Sequence, residues 1–241
     1  GVPFIVKPAS QTAYLTELMC RRMIDTGILP DGAMQLISGS AGDLLDHVTG
    51  QDAVTFTGSA STGQKLKTHP AIIENATRFT MEADSLNASV LGPDAGPGTE
   101  EFDLFVKEVA REMTVKAGQK CTAIRRVIAP RAHVDALVAA LSDRLDKATL
   151  GNPADEGVRM GPLASLDQRE EVRARIAELQ ADAEIMAGHP DEVRIASGDA
   201  EKGAFLNPVL LYCDKPFAAQ AVHDVEAFGP VSTIMPYDTM D

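Results

Sequence analysis

Tryptophan is absent from the chain, cysteine occurs only three times, and cationic residues are outnumbered by anionic ones, 22 Lys and Arg against 35 Asp and Glu. Three widely spaced cysteines (Cys20, Cys121, Cys213) exclude a disulfide framework or a zinc ribbon, so each must be explained singly. A net charge of -13 argues against a nucleic-acid surface, which needs a basic stripe. It leaves room for an anionic ligand in a locally basic pocket. No apolar run approaches the ~18 residues of a membrane span, and no charged-then-apolar leader is present. A cytoplasmic location with no membrane partner is the default expectation. The histidines at 47, 69, 133, 189 and 223 show no metal-ligand spacing, so no metal is expected.

What is present is the composition of an ordinary globular protein: 241 residues, 44% hydrophobic and 24% charged, enough for one large or two modest domains. The opening "GVPFIVKPAS" has a strand-like "FIV" with no preceding cap, which suggests a piece of a longer chain. From Gln11 to Thr26, Leu15, Leu18, Met19 and Met23 keep helical spacing, and Gly27 and Pro30 end it. "MQLISG" predicts a strand, "AGDLLDHV" a short helix, "DAVTFTG" a strand and "SASTGQKLKTH" a helix start. This alternation predicts an α/β fold with a parallel sheet covered on both faces. "RFTM" and "ASVLG" read as further strands, and the connector "PDAGPGTEE" marks a domain seam, giving 1–94 and 95–241. Beyond it Phe102, Phe105, Val106, Val109 and Met113 form one buried helix face, "RRVIAP" a strand, and Val134, Leu137, Val138, Leu141 and Leu145 a second helix. Ser165 and Gln168 make a possible capping box for a helix through Leu179. A strand near Ile185, a strand "FLNPVLLY" and a strand "VSTIMPY" follow.

Three segments contain residues suited to chemistry. Cys121, in "AGQKCTAIRR", follows a helix and is flanked by small and cationic residues; it is either a nucleophile whose thiolate Lys120 and Arg125 favour, or a small core hydrophobe. Cys20 and Cys213 read as core. "FTGSASTG" runs from a strand through Gly58 into a helix start, where backbone N–H groups and the helix dipole suit a phosphate, yet it is neither GxGxxG nor a P-loop, and a plain turn explains it as well. Glu82 ends an apolar run that would desolvate its carboxylate and suit a general base; a merely solvated acid is the bland alternative.

Taken together, "VKPASQT", "FTGSASTG", a strand-end glutamate, "GQKC" and "EAFGPV" resemble, in order and spacing, the NAD(P)-dependent aldehyde dehydrogenases. The resemblance implies a Rossmann-type parallel sheet plus an α/β catalytic domain, truncated here at both ends. The missing parts would be upstream strands, an asparagine-bearing oxyanion segment, and a downstream segment used in subunit pairing. It also implies that Cys121 attacks an aldehyde and that Glu82 activates the hydrolytic water. Gly58, Ser59 and Gly63 would lie at the pyrophosphate, Lys7 and Ser10 at the adenosine ribose, and Glu226 and Phe228 at the nicotinamide. Where the family commonly has Glu, this chain has Ser10, which beside Lys7 favours NADP, with NAD possible. "ADSLN" stands where the family usually has Leu-Gly-Gly-Lys.

Within the family, "TMEADSLNASVLGPDA" and "EMTVKAGQKCTAIRRVIAP" are most similar to the dehydrogenase half of bifunctional ring-opening enzymes of phenylacetate degradation, where a hydratase-like domain follows. Semialdehyde dehydrogenases of the benzoyl-CoA epoxidation pathway are close neighbours. The implied partner is a small aldehyde, a CoA-linked semialdehyde, in a homo-oligomeric parent. Two other readings remain open from sequence: a truncated, non-catalytic fragment, and an acylating enzyme that passes its acyl group to CoA.

Overall fold

The computed structural model describes residues 2–240 and divides into two units, Gly1–Asp84 and Ser85–Asp241. The division falls at Asp84/Ser85 rather than at the glycine-rich connector expected at 94/95. The reason is pairing: the strand at Asn87–Val90 runs parallel to Ile124–Pro130, so it belongs to the second sheet.

In the first unit, β1 (Phe4–Val6) leads through a 3-10 turn into α1 (Ala13–Asp25), and β2 (Met34–Leu36) returns parallel to β1. The segment expected as a short helix at "AGDLLDHV" is a 3-10 turn, Leu44–His47. Then come β3 (Ala53–Gly58), α2 (Ala60–Lys67), α3 (Pro70–Glu74) and β4 (Arg78–Ala83), with β4 parallel to β3. The single Rossmann-type sheet of the expectation is thus drawn, among the described residues, as two parallel pairs. The face of α1 is also turned differently from its sequence pattern. Leu15, Leu18, Met19 and Met23 are exposed, and only Cys20 is buried on this helix.

The second unit holds the core. Its strands are β5 (Asn87–Val90), β6 (Ile124–Pro130), β7 (Glu184–Ala187), β8 (Val209–Tyr212) and β9 (Val231–Tyr237), in the order β5-β6-β9-β8-β7. All neighbours are parallel except β7 and β8, which are antiparallel. The strand expected from Phe205 begins only at Val209, since Pro208 offers no N–H to a ladder. Helices α4 (Glu100–Thr114), α5 (Val134–Asp146), α6 (Leu166–Leu179) and the short α7 (Ala221–Asp224) complete the unit.

The helical pattern here folds as its spacing requires. Phe102, Val106, Val109 and Met113 of α4 are buried with Leu137, Leu141 and Leu145 of α5 in one apolar cluster that includes Val127, Leu210 and Ile234 of the sheet. Val172, Ile176 and Leu179 of α6 join Leu206, Val209, Leu211 and Met235 in a second cluster. Burying each such side chain is worth about 1.5–3 kcal/mol, so these two clusters dominate the stability of the unit. Thr99 caps α4 by accepting from the Phe102 N–H, and Ser165 caps α6 by accepting from the Gln168 N–H. Only half of the expected capping box forms, because the Gln168 amide donates to the Phe228 carbonyl instead.

Candidate active site

Cys121 lies in the turn between α4 and β6 and is exposed, whereas Cys20 and Cys213 are buried. That exposure excludes the core-filler reading. Burial pushes the Cys213 thiol up from its ordinary value, which keeps it protonated and inert. The approach to Cys121 is unusual backbone: Lys116, Ala117 and Gly118 have φ of 55°, 52° and 67° in succession. Left-handed backbone costs a non-glycine residue roughly 1–2 kcal/mol, so the turn must be held by its surroundings.

It is held on several sides. The Cys121 carbonyl accepts from Ser85 Oγ and from Asn87 Nδ2, each at 2.6 Å. Asn87 also donates to the Ala123 carbonyl at 3.1 Å. Gln119 Oε1 accepts from the Ala164 N–H at 2.9 Å. Gly118 touches the segment after Phe228 so closely that a Cβ there would stand 2.1 Å from the Gly229 carbonyl oxygen. Only glycine fits, both for this approach and for its φ.

The two cations expected to supply a field at Cys121 are already engaged. Lys120 Nζ lies 2.6 Å from Glu112, and Arg125 pairs with Glu226 at 3.4 Å. Arg125 is buried, and its guanidinium also donates to the Gly118 and Gly229 carbonyls at 2.8 and 2.6 Å. Desolvation pulls its proton affinity below the ordinary value while the Glu226 charge opposes that, and arginine stays charged. Its plane lies over the Phe228 ring at 5.6 Å. Arg125, expected to supply a field at Cys121, is instead turned inward, and nothing local in the arginine pair "RR" tells which of the two does so. Arg126 reaches the Leu86 carbonyl at 2.8 Å. Glu226 and Phe228 are brought to the Cys121 turn through this arginine, with the Glu226 carboxylate also accepting the Ser85 N–H at 3.1 Å and the Phe228 ring partly exposed.

In the first unit Gly58, Ser59 and Gly63 meet at the β3–α2 junction. Ser59 is the N-cap, its Oγ accepting the Thr62 N–H, and the Asp84 carboxylate accepts the Ala60 N–H at 3.0 Å. Asp84 takes φ 35° there. A Cβ on Gly58 would strike the Phe56 ring, and one on Gly63 would strike Met81. Lys7 and Ser10 are exposed beyond β1, and Lys7 Nζ donates to the Pro8 carbonyl at 3.0 Å. Glu82 is exposed on β4, so the apolar run before it does not bury its carboxylate as expected.

The chemistry of the first unit's residues suits the phosphate and ribose parts of a nucleotide. Within the first unit, the helix start at Ser59 has glycine on its strand side, and an exposed ammonium and hydroxyl lie at Lys7 and Ser10; within the second, Phe228 is exposed beside Arg125. For a phosphate to take the Ala60 N–H, the Asp84 carboxylate has to release it. Among the described residues no group of three or more His, Cys, Asp or Glu is placed to hold a metal ion, and no helix is long and apolar enough to cross a membrane.

Parallel strands joined by helices define an α/β domain, and an exposed thiol stands on a clamped turn of it. Comparison with known proteins makes this specific: the model of the aldehyde dehydrogenase family matches residues 1–241, and the chain belongs to that family. It is 51% identical to the 3,4-dehydroadipyl-CoA semialdehyde dehydrogenase of Aromatoleum evansii, over 100% of this chain and 47% of that protein. The structure is similar to an apo mutant of betaine aldehyde dehydrogenase from Staphylococcus aureus, with TM-score 0.84 and 28% identity, covering 98% of this chain and 46% of the other. The same enzyme in complex with NAD+ gives TM-score 0.83 and 27% identity, covering 98% and 45%. The chain thus spans about half the length of the relatives it matches.

Proposed function

We propose that this chain is part of an NADP-dependent aldehyde dehydrogenase that oxidises a CoA-linked semialdehyde to the carboxylic acid. The observation that carries the proposal is the exposed Cys121 on its clamped turn, in a chain of this family. The substrate class rests on the relative at 51% identity, named for a CoA semialdehyde.

Cys121 Sγ, as thiolate, attacks the aldehyde carbon, and the resulting thiohemiacetal oxyanion is held in part by the Cys121 backbone N–H. A nicotinamide, when held there, would supply the hydride acceptor. Loss of hydride from the thiohemiacetal leaves a thioester on Cys121. Glu82 takes a proton from water, which attacks the thioester carbon, and the carbon–sulfur bond breaks to release the acid and restore the thiol. Lys7 and Ser10 would receive the adenosine ribose and its 2'-phosphate, Gly58, Ser59 and Gly63 would shape the pyrophosphate site, and Glu226 and Phe228 would hold the nicotinamide ribose and ring. Ser10 carries no charge to repel the phosphate, and Lys7 attracts it, which favours NADP. A second reading, NAD, is favoured by the NAD+ complex of the betaine enzyme.

The test is a fluorescence titration with NADPH and with NADH, alongside iodoacetamide kinetics on Cys121 and a Cys121→Ala control. Tighter NADPH binding together with rapid modification confined to Cys121 supports the proposal. Absence of nucleotide binding with a sluggish thiol overturns it, and tighter NADH binding moves the cofactor to NAD.

A further inference from the structure

Arg125 is the one charged side chain among the buried residues described, and every one of its contacts leads to Cys121 or to the Glu226–Gly229 segment. Two donors of Nη2 reach the turn before the cysteine, at the Gly118 carbonyl (2.8 Å) and the Lys120 carbonyl (3.5 Å). Nη1 reaches the Gly229 carbonyl at 2.6 Å, Nε reaches Glu226 Oε1 at 3.4 Å, and the guanidinium covers the Phe228 ring. The circuit then closes. Glu226 Oε2 accepts the Ser85 N–H at 3.1 Å, and Ser85 Oγ donates to the Cys121 carbonyl at 2.6 Å.

A planar, rigid fork with five donors is suited to fixing several acceptors at once, which a flexible ammonium is not. Surrounding it with carbonyls and one carboxylate pays its desolvation and ties two distant stretches of chain into one body. We infer that Arg125, with Ser85, is a positioning residue that couples Glu226 and Phe228 to the backbone of the nucleophile, so that a nucleotide engaging the former shifts the reactivity of the Cys121 thiol. This rests on the dehydrogenase reading, in which Glu226 and Phe228 meet the nicotinamide. A purely structural arginine would hold the turn in place without transmitting anything.

The experiment measures the iodoacetamide rate at Cys121 by mass spectrometry, with and without saturating NADPH, in the wild type, Arg125→Lys and Ser85→Ala. NADPH affinity is measured on each by its fluorescence. Ser85→Ala removes one donor to the Cys121 carbonyl while Asn87 keeps the other, so this variant folds even where Arg125→Lys does not. The expected result is a nucleotide effect of about five-fold or more in the wild type. In the variants NADPH still binds but the effect is largely lost. An effect that persists undiminished in the folded variants overturns the inference, as does NADPH binding to the wild type with no effect on the thiol. Failure of the wild type to bind either NADPH or NADH is the distinct outcome that removes the dehydrogenase reading and this inference with it.

Discussion

Replacing Gly118 by alanine tests whether the turn before Cys121 is held against the Gly229 backbone as tightly as the structure shows. The new Cβ would lie 2.1 Å from the Gly229 oxygen, 2.5 Å from its carbon and 2.9 Å from the Pro230 Cα. Carbon–oxygen contacts of even the weak hydrogen-bonding kind need roughly 3.3–3.6 Å. The two backbones must therefore separate by more than an ångström-scale adjustment can hide, and neither is a flexible side chain. Separation pulls apart the carbonyls that Arg125 bridges at 2.8 and 2.6 Å, so at least one of these bonds is lost. A hydrogen bond to a charged group is worth about 1.5–3 kcal/mol, and the left-handed φ of 67° costs alanine roughly a further 1–2 kcal/mol. The second unit should lose about 2.5–5 kcal/mol, the two contributions together. Urea unfolding followed by circular dichroism, with the slope checked for constancy, reads this loss directly. A variant within about 0.5 kcal/mol of the wild type, the range of an ordinary surface change, would refute the close approach and the clamp built on it.

Gly63→Ala should be far milder than Gly118→Ala, because its nearest neighbour is the Met81 thioether, a flexible side chain that is itself 41% exposed and can move aside; thermal unfolding of the two variants side by side checks the order. Ser10→Glu should weaken NADPH binding and favour NADH, by placing a carboxylate where a 2'-phosphate is expected; the ratio of the two dissociation constants reads it. The Asp214 carboxyl is held below the ordinary carboxylate value by hydrogen bonds from Tyr212 and Arg131. A depressed folded-state pKa contributes stability that is fully present above the unfolded value of about 3.9 and is lost as pH falls through the lower folded value. Asp214→Asn should therefore lower stability above about pH 4, where that contribution is present, and converge with the wild type in acid, flattening the acid limb, as urea midpoints across pH would show.

Much of the second unit was legible because its helices are strongly amphipathic. The residues singled out on α4 and α5 are those that pack on the sheet, and the strand "RRVIAP" falls within β6. Local reading failed where tertiary partners decide. The apolar stripe of α1 predicted a buried face, yet those side chains are exposed, since spacing reports a face and not what covers it. The Pro/Gly-rich connector "PDAGPGTEE" reads as a seam from composition, whereas strand pairing joins Asn87–Val90 to β6 and the two compact units divide at Asp84/Ser85. The exposure of Cys121 was undecidable from neighbours alone. Lys120 and Arg125 sit beside it in sequence, but their charges are spent on Glu112 and Glu226, the latter 101 residues from Arg125. The inward turn of Arg125, and the Asp84 carboxylate on the first amide of α2, depend on contacts that no motif encodes.

The central claim, that Cys121 is the nucleophile and Glu82 the base of its release, is tested most directly by a single-turnover experiment on Glu82→Gln. The protein is mixed with excess NADP and a CoA-linked semialdehyde, absorbance follows the reduced nucleotide, and acid-quenched samples go to mass spectrometry. The account predicts a burst of one NADPH per chain, an acyl group on Cys121, and neither in the Cys121→Ala variant. Steady turnover without an acyl-cysteine, or a burst that survives Cys121→Ala, would contradict it.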